Sequence, residues 1–317
     1  MEPFNAIDKL LGIIEKYGGY IFEPGMKTRL LKADARGEVR AEIEKVKGIG
    51  LIKEEYTKLD IPDEFKSPLM EQSMKRIGFT FLKEQENIND VVDETYKQLE
   101  GETVTSEPID DDWITRFFGY AKNISNQEIQ IIWSKILAGE IRKPGSFSYL
   151  TLNVLQNIDY QIAKYFLQMA KYVIKAQDKY IVPSALLNHE HKNFINFSVI
   201  YELDSIGLIN QRSFTGLEIH KQNHPINFYF LNCNKVIHLQ AAAIKNAFQI
   251  EAIILSKAGK ELISLIDVVE PDDYFIEQFV KYLYSIDKDF SIWVADIINI
   301  EENGIKYKNQ QHIPYSV

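Results

Sequence analysis

Three kinds of side chain could do chemistry here: clustered carboxylates, paired histidines and a lone cysteine. The carboxylates are Asp110, Asp111 and Asp112, with Glu140 further along the chain. They could bind a divalent metal, because hard cations prefer clustered oxygen ligands. Aspartates also suit the start of a helix, where they accept hydrogen bonds from free amide groups and favour the helix dipole. We prefer the helix interpretation and predict no metal, because the sequence offers no further oxygen ligands.

The histidine pairs could form part of a zinc site. His189 and His191 would share one face of a strand, and His220 and His224 would lie one turn apart on a helix. Pro225 argues against a continuous helix at the second pair. A catalytic zinc site needs a third protein ligand, and nothing in the sequence places one. We therefore expect polar histidines in loops.

Cys233 is the single cysteine and could act as a nucleophile, with His238 nearby in the sequence. It falls in a predicted strand or turn, where a lone cysteine is more often a small buried residue. The glycines at Gly48 and Gly50 lack the residues that complete a phosphate-binding loop. The sequence therefore offers no catalytic constellation and predicts no cofactor, so that an enzymatic activity has no support.

The composition is that of an ordinary globular protein. The chain has 317 residues, of which 45% are hydrophobic and 26% charged, and its formal net charge is −9. This acidic balance disfavours a protein whose whole surface grips nucleic acid. The start of the chain does not resemble a signal peptide, and no run approaches the roughly 20 apolar residues of a membrane-spanning helix. We expect a cytoplasmic protein.

Hydrophobic periodicity predicts an α+β fold that is mainly α, in three segments. Residues 1–104 should form N-terminal amphipathic and charged helices, and residues 105–180 a central helical bundle. Residues 181–317 should form a winged-helix-like α/β module, closed by a C-terminal helix and strands. The polar run over 102–108 marks the first boundary.

Local signals place the individual helices. Two helices are predicted over 63–86 and 88–99, after a markedly basic stretch between Lys27 and Lys53. Helix N-caps are predicted at Asp110, Asp159 and Ser256, and Ser125 with Glu128 has the spacing of a capping box. These signals are strongest in the central block, which therefore reads as a compact bundle.

The central block also carries motifs that indicate a family. These residues are Asp111, Asp112, Trp113, Trp133, Gly139, Glu140, Pro144, Gly145, Ser146 and Phe147. Together with Gly207-Leu208-Ile209 and Ser256-Lys257-Ala258-Gly259, they resemble an uncharacterised bacterial family known only as a domain of unknown function. The helix–tryptophan–helix core is more distantly similar to abortive-infection alpha proteins, which are linked to bacterial defence against phage. The resemblance implies a fold and no reaction, and we expect the motif residues to be structural.

These observations favour a non-enzymatic protein-interaction or self-assembly protein, as a component of phage defence or of a stress response. One alternative is a nucleic-acid-binding winged-helix regulator, and a second is a metal-dependent hydrolase. The predicted helix over 194–205 contains Glu202 and Asp204 but no Lys or Arg, whereas a helix that reads DNA is usually basic. A protein partner or a second copy of the chain is therefore expected, and nucleic acid is not.

An amphipathic helix is predicted from Phe4 to Tyr17, with Phe4, Ile7, Leu11 and Ile14 on one apolar stripe. Glycines and a proline follow it, so we expect the stripe to dock on a second copy or on a membrane surface. The acidic residues on its polar side disfavour anionic lipid. The alternative is that the helix packs on the rest of its own chain, as short amphipathic helices usually do.

Overall fold

A computed structural model describes six stretches of the chain: residues 4–17, 68–187, 197–210, 216–266, 270–301 and 304–315. The basic stretch between Lys27 and Lys53 and the pair His189 and His191 lie outside these residues. Contacts divide the chain into two compact units, Met1–Leu152 and Asn153–Val317. This division differs from the three segments expected from the sequence.

The first unit is helical. Its elements in chain order are β1 (Phe4–Asn5), α1 (Ala6–Tyr17), α2 (Pro68–Leu99), β2 (Thr103–Val104), α3 (Asp111–Ala121), α4 (Gln127–Arg142) and the start of α5 (Tyr149–Leu155). β1 and β2 pair antiparallel, which joins the start of the chain to the polar run expected to be a linker.

Helix α1 is part of the core of this unit. Ile7, Leu11 and Ile14 are buried, and α1 contacts α2, α3 and α4. Phe4 lies in β1 and so pairs with β2. The expectation that the stripe of Phe4, Ile7, Leu11 and Ile14 docks on a second copy or a membrane is corrected for Ile7, Leu11 and Ile14, because their side chains are buried within the unit.

Helix α2 is continuous, although the sequence predicts a break near Asn87. Asn87 is buried, and its Nδ2 donates a 2.7 Å hydrogen bond to the carbonyl oxygen of Lys122. Near the other end, Gln98 Nε2 donates a 2.7 Å hydrogen bond to Ser134 Oγ on α4. The side chains of Asn87 and Gln98 therefore hold α2 against the end of α3 and against α4.

The second unit combines helices with antiparallel strands. Its elements after α5 are α6 (Tyr160–Ala170), β3 (Ile174–Ala176), β4 (Lys179–Pro183), α7 (Phe197–Ser205), β5 (Ile209–Asn210), β6 (Leu217–Ile219), β7 (Ile226–Asn232), β8 (Lys235–Ala241), β9 (Phe248–Ile250), β10 (Ala252–Leu255), α8 (Lys257–Ile263), α9 (Asp273–Ile286), β11 (Ser291–Glu301) and β12 (Gly304–Ile313). In the described residues, eight strands form one sheet in the order β12-β11-β8-β7-β3-β4-β10-β5. The α+β prediction, with a helical first part and a mixed second part, is confirmed.

Helix α9 covers one face of this sheet. Phe275, Phe279 and Leu283 are fully buried, and the rings of Phe279 and Phe230 on β7 meet edge to face with centroids 5.2 Å apart. Strand residues alternate between faces, so Tyr229 belongs to the opposite face. One face of the sheet therefore packs into the core of the unit.

Side-chain caps begin three helices where the sequence predicts them. The side chains of Asp110, Asp159 and Ser256 each accept a hydrogen bond from a backbone N–H in the first turn of α3, α6 and α8. Such caps satisfy amide groups that have no partner within the helix. These starts are local, which is why the sequence alone reveals them.

Helix α4 begins one residue later than the predicted capping box requires. Asn126 is its N-cap, and Asn126 Oδ1 accepts hydrogen bonds from the N–H groups of Glu128 and Ile129. Ser125 is therefore outside the helix. Asparagine and serine are equally good N-cap residues, so the sequence alone does not decide between Ser125 and Asn126.

The outermost hairpin, β11 with β12, is irregular. Its pairing shifts register between Val294 and Asp296 and again between Ile297 and Asn299. Asn309 on β12 has a φ of +55°, in the left-handed region. These are β-bulges, which bend and twist the strand that contains them.

Candidate functional site

Two residues of the central motif, Gly145 and Phe147, bind the buried carboxylate of Glu140. Glu140 lies near the end of α4 and is 2% exposed. Its Oε1 accepts a 2.5 Å hydrogen bond from the N–H of Gly145, and its Oε2 accepts a 3.0 Å hydrogen bond from the N–H of Phe147. Gly145 has a φ of +82°, which a glycine adopts without strain. The carboxylate thus fixes the turn over 144–147 against the helix that precedes it, and we call this arrangement the Glu140 turn.

Aromatic packing completes the Glu140 turn. Trp113 Nε1 donates a 2.7 Å hydrogen bond to the carbonyl oxygen of Phe147. A Cβ atom on Gly139 would lie 2.7 Å from the Phe147 ring, so this position has room for glycine alone. Trp133 is fully buried, and its ring lies 5.2 Å from that of Phe117. Trp113, Trp133 and Phe147 are therefore part of the buried core of the first unit.

Asp110 and Asp111 have partners within the protein. Asp110 Oδ1 accepts hydrogen bonds from the N–H of Trp113 and from the hydroxyl of Tyr149, at 2.8 and 2.6 Å. The Tyr149 hydroxyl, above all, lowers the pKa of Asp110. Asp111 pairs with Lys16 at 2.8 Å. In the part of the chain that the structure describes, no three His, Cys, Asp or Glu side chains form a group that could hold a metal.

Lys9, on α1, lies close to the end of α4 and to the residues that follow β2. Its Nζ donates hydrogen bonds to the carbonyl oxygens of Thr105 and Ile141, at 3.2 and 3.1 Å. Burial lowers the pKa of Lys9, and the nearby carboxylates of Glu107 and Glu140 oppose that shift. Lys9 therefore ties α1 to the end of α4 through backbone acceptors, which is a structural role.

Cys233 lies in the two-residue turn between β7 and β8, with a φ of +52°. Burial raises the pKa of its thiol to about 11, so the thiol stays protonated near neutral pH. His238 does not serve as its base, because His238 Nε2 lies 2.9 Å from Asn227 Oδ1 and its ring stacks on Tyr229. The nucleophile hypothesis is therefore not supported.

The second histidine pair is separate from any cluster. His220 is exposed and its Nδ1 lies 3.5 Å from Glu218 Oε1, while His224 Nδ1 lies 3.2 Å from the carbonyl oxygen of Pro225. Both follow β6 in an irregular segment. This agrees with polar histidines outside a helix.

The motif residues outside the central block, around Gly207 and Ser256, join the end of α7 to the start of α8. Ser256 Oγ donates a 2.6 Å hydrogen bond to the carbonyl oxygen of Gly207 and accepts one from the N–H of Gly259. A Cβ atom on Gly259 would lie 2.1 Å from the carbonyl oxygen of Leu208. Gly207 itself has a φ of +87°. The segments around Gly207 and Ser256 therefore contact each other closely through hydrogen bonds to the backbone. We call this arrangement the Ser256 junction.

Sequence reasoning missed a row of rings across four strands of the sheet. Tyr229, His238, Trp293 and His312 are successive cross-strand partners on β7, β8, β11 and β12. Their centroids are 4.5, 5.6 and 5.2 Å apart along the row. Burial lowers the pKa of His238, which favours its neutral form. The row stabilises the pairing of these strands.

Sequence reasoning also missed an exposed apolar surface on α6 and α7. On α7, Phe197 is 64% exposed and Tyr201 is 72% exposed, and they are four residues apart on one side of the helix. On α6, which contacts α7, Tyr160 and Leu167 are exposed as well. We call these four residues the α6–α7 face. Glu202, beside Tyr201, is exposed, and α7 contains no basic residue.

Comparison with known families gives one match. The family described as Protein of unknown function (DUF2806) matches residues 71–279, a range that contains both the Glu140 turn and the Ser256 junction. No curated protein and no solved structure matches the chain. Among the described helices, none has the length and apolar character needed to cross a membrane.

Proposed function

The chain belongs to the DUF2806 family, and we propose that it is a non-enzymatic protein-interaction protein that binds its partner through the α6–α7 face. The observation that carries this proposal is the exposure of Phe197 and Tyr201, two aromatic side chains on one side of α7. Aromatic residues are enriched in the centres of protein interfaces, because they bury a large area at low entropic cost.

The residues that could do chemistry support the same view. The oxygens of Glu140 accept hydrogen bonds from two backbone N–H groups, and Asp110 caps α3. The thiol of Cys233 has a raised pKa, which disfavours the reactive thiolate. These three candidates therefore have structural explanations, and among the described residues no set of side chains supports a metal-dependent hydrolase.

Charge favours a protein partner over nucleic acid. Helix α7 comes directly before Gly207 and β5, the chain order expected of the DNA-reading helix in a winged-helix regulator. It presents Glu202 together with the two aromatics, and no Lys or Arg. On α7, Glu202 would repel phosphate groups and would complement a basic side chain of a protein partner, while Phe197 and Tyr201 would contact its apolar side chains.

We place this interaction in the bacterial cytoplasm, in defence against phage. The support is the similarity of the helix–tryptophan–helix core around Trp113 and Trp133 to abortive-infection alpha proteins. A phage panel tested on cells that express the chain provides the measurement. Wild-type protein should lower plating efficiency, and a Phe197→Ser and Tyr201→Ser double variant should lose that protection.

Site-specific photo-crosslinking in cells tests the interaction directly. A photoreactive phenylalanine analogue placed at Tyr201 should give a discrete adduct with one protein species, identified by mass spectrometry. The same analogue at Ile298, which is 61% exposed on β11, is the matched control and should not give that adduct. Phe197→Ser should reduce the adduct formed from position 201.

Two results would overturn the proposal. One is an adduct pattern that is the same at positions 201 and 298. The other is tight, salt-dependent binding of duplex DNA at physiological ionic strength that Tyr201→Ser abolishes, which would establish the regulator instead.

A further inference from the structure

His238 lies inside the row of rings that crosses the sheet. Its imidazole stacks on Tyr229 of β7, with ring centroids 4.5 Å apart, and lies 5.6 Å from the Trp293 ring of β11. The imidazole is thus covered from both neighbouring strands, and His238 is only 6% exposed. Its side chain therefore forms part of the interface of β8 with β7 and with β11.

The two ring nitrogens of His238 have different surroundings. Nε2 lies 2.9 Å from Oδ1 of Asn227, an oxygen that also accepts a 2.8 Å hydrogen bond from Gln240 Nε2. Because this oxygen can only accept, Nε2 carries the proton of the neutral ring. Nδ1 is buried and has no hydrogen-bond partner among the residues that the structure describes. The neutral ring therefore fits the site with its proton on Nε2.

A protonated His238 does not fit the same site. The cation has an N–H group at each ring nitrogen and needs two acceptors, whereas the described residues provide one, at Nε2. A buried donor without a partner is unfavourable, and a buried charge without a counter-ion is more so. In agreement with this geometry, burial lowers the pKa of His238 from its ordinary value of 6.5.

The titratable groups of the row provide no negative charge for such a cation. On β7, burial together with Tyr307 of β12 raises the pKa of Tyr229, so the Tyr229 hydroxyl stays neutral. On β12, His312 lies against Trp293, on the side away from β8. Its protonation on acidification would add a second positive charge to the row rather than balance the first.

An ion pair joins β8 to β11 on the other face of the sheet. Lys235 Nζ of β8 lies 2.7 Å from Asp296 Oδ1 of β11. These residues are three positions from His238 and from Trp293, and an odd spacing along a strand places side chains on opposite faces. Asp296 is therefore not a counter-ion for His238.

We propose that His238 is an acid-sensitive switch, whose protonation weakens the pairing of β8 with β11 and loosens the β11–β12 hairpin. The other neighbour, β7, runs directly into β8 through a two-residue turn, so the chain itself holds these two strands together. β11 comes from a distant part of the sequence and pairs with β8 over residues 291–296. The pairing has its full strength where a free histidine is neutral, and it loses strength as the pH falls below about 6.5.

This switch goes beyond the proposed function and is independent of it, because the α6–α7 face lies on other elements. Its loss would leave photo-crosslinking from Tyr201 at neutral pH unchanged. Conversely, failure of that crosslinking would leave the acid response of the sheet unchanged. The two proposals can therefore fail separately.

Hydrogen exchange of the full chain at about pH 7.5 and about pH 5.5, corrected for the intrinsic effect of pH on exchange, tests the proposal. In the wild-type protein, the opening equilibrium of the β11 amides should rise at least about threefold at the lower pH. His238→Phe keeps a ring between Tyr229 and Trp293 but cannot be protonated, so this response should disappear. His312→Phe is the matched control: it removes an exposed histidine of the same row and should leave the response in place.

Two further measurements keep the test decisive if His238→Phe does not fold. Nuclear magnetic resonance of the ring nitrogens in the wild-type protein should show a pKa of His238 below that of a free histidine. Asn227→Asp places a carboxylate against Nε2, and it should reduce the acid response at least about twofold, because the cation gains a counter-ion.

Three results would overturn the proposal. One is equal opening of the β11 amides at the two pH values in the wild-type protein. Another is an acid response that His238→Phe or Asn227→Asp leaves at full size, or that His312→Phe abolishes. The third is a pKa of His238 above that of a free histidine, because the neighbouring rings would then stabilise the cation.

Discussion

Trp113 and Phe147 are joined by a 2.7 Å hydrogen bond from the indole Nε1 to the backbone carbonyl oxygen. Since Glu140 accepts a hydrogen bond from the N–H of the same Phe147, both main-chain polar groups of this residue are satisfied by side chains. A turn that buries its backbone needs such partners. Trp113 and Glu140 thus hold the backbone of Phe147 in place from both sides.

Replacing Glu140 with Gln should destabilise the first unit. The amide group offers one acceptor oxygen for two backbone N–H groups, and its NH₂ would face a donor. We expect a loss of about 2–3 kcal/mol in the free energy of unfolding, measured by urea denaturation. Glu128→Gln, on the exposed start of α4, is the control and should change stability by less than about 0.5 kcal/mol. Equal effects of the two substitutions would contradict the assigned role of Glu140.

Gly139 and Gly119 give a matched pair of helix glycines. Gly139→Ala places a Cβ atom 2.7 Å from the Phe147 ring, whereas a Cβ at Gly119 meets nothing within 4 Å. We expect Gly139→Ala to cost about 1–3 kcal/mol through overpacking. Gly119→Ala should stabilise α3 by about 0.5–1 kcal/mol, because alanine is the better helix former. Thermal unfolding compares the two, and a stabilising Gly139→Ala would show that the turn moves freely.

The Ser256 junction can be tested with a pair of serines on α8. Ser256→Ala removes the cap on Gly259 and the hydrogen bond to Gly207, and should cost about 1–2 kcal/mol. Ser264 ends the same helix and is exposed, so Ser264→Ala should cost less than about 0.5 kcal/mol. Hydrogen exchange at Leu208 and in α8 is the measurement. Unchanged protection in Ser256→Ala would refute the junction.

The thiol of Cys233 should react slowly in the folded protein. Its pKa is raised from 9.0 to about 11, so at pH 8 the thiolate is about 100-fold rarer than in the unfolded chain. Alkylation by iodoacetamide should be slower by a similar factor in native than in denaturing buffer. The unfolded chain releases this proton first, so the group's contribution to stability falls as pH rises from about 9 to about 11. Comparable alkylation rates in the two buffers would contradict the raised pKa.

Local features of the fold were predictable from the sequence, and long-range contacts were not. The caps at Asp110, Asp159 and Ser256 depend on neighbouring residues, so the sequence identifies them. The apolar stripe of α1 is equally visible, but β1 and Lys9 contact residues almost a hundred positions away. Because nothing local marks such a partner, the stripe looked available for another molecule.

The candidate surfaces escaped prediction for a related reason. Phe117 and Phe197 both belong to amphipathic helices, yet one is fully buried and the other is 64% exposed. Only the packing of the neighbouring elements decides between these outcomes. The pairing of His238 with Trp293 likewise depends on the register between two strands that are far apart in the sequence, which hydrophobic alternation does not determine.

The irregular β11–β12 hairpin makes one edge of the sheet unsuited to pairing with further strands. In the described residues, β12 is the outermost strand, and an exposed edge can template the addition of strands from other molecules. The register shifts in β11 and the left-handed Asn309 twist this edge away from the flat geometry that such templating needs. The irregular β12 edge is therefore a poor template for strands from other molecules, which lowers the tendency of the sheet to aggregate through that edge.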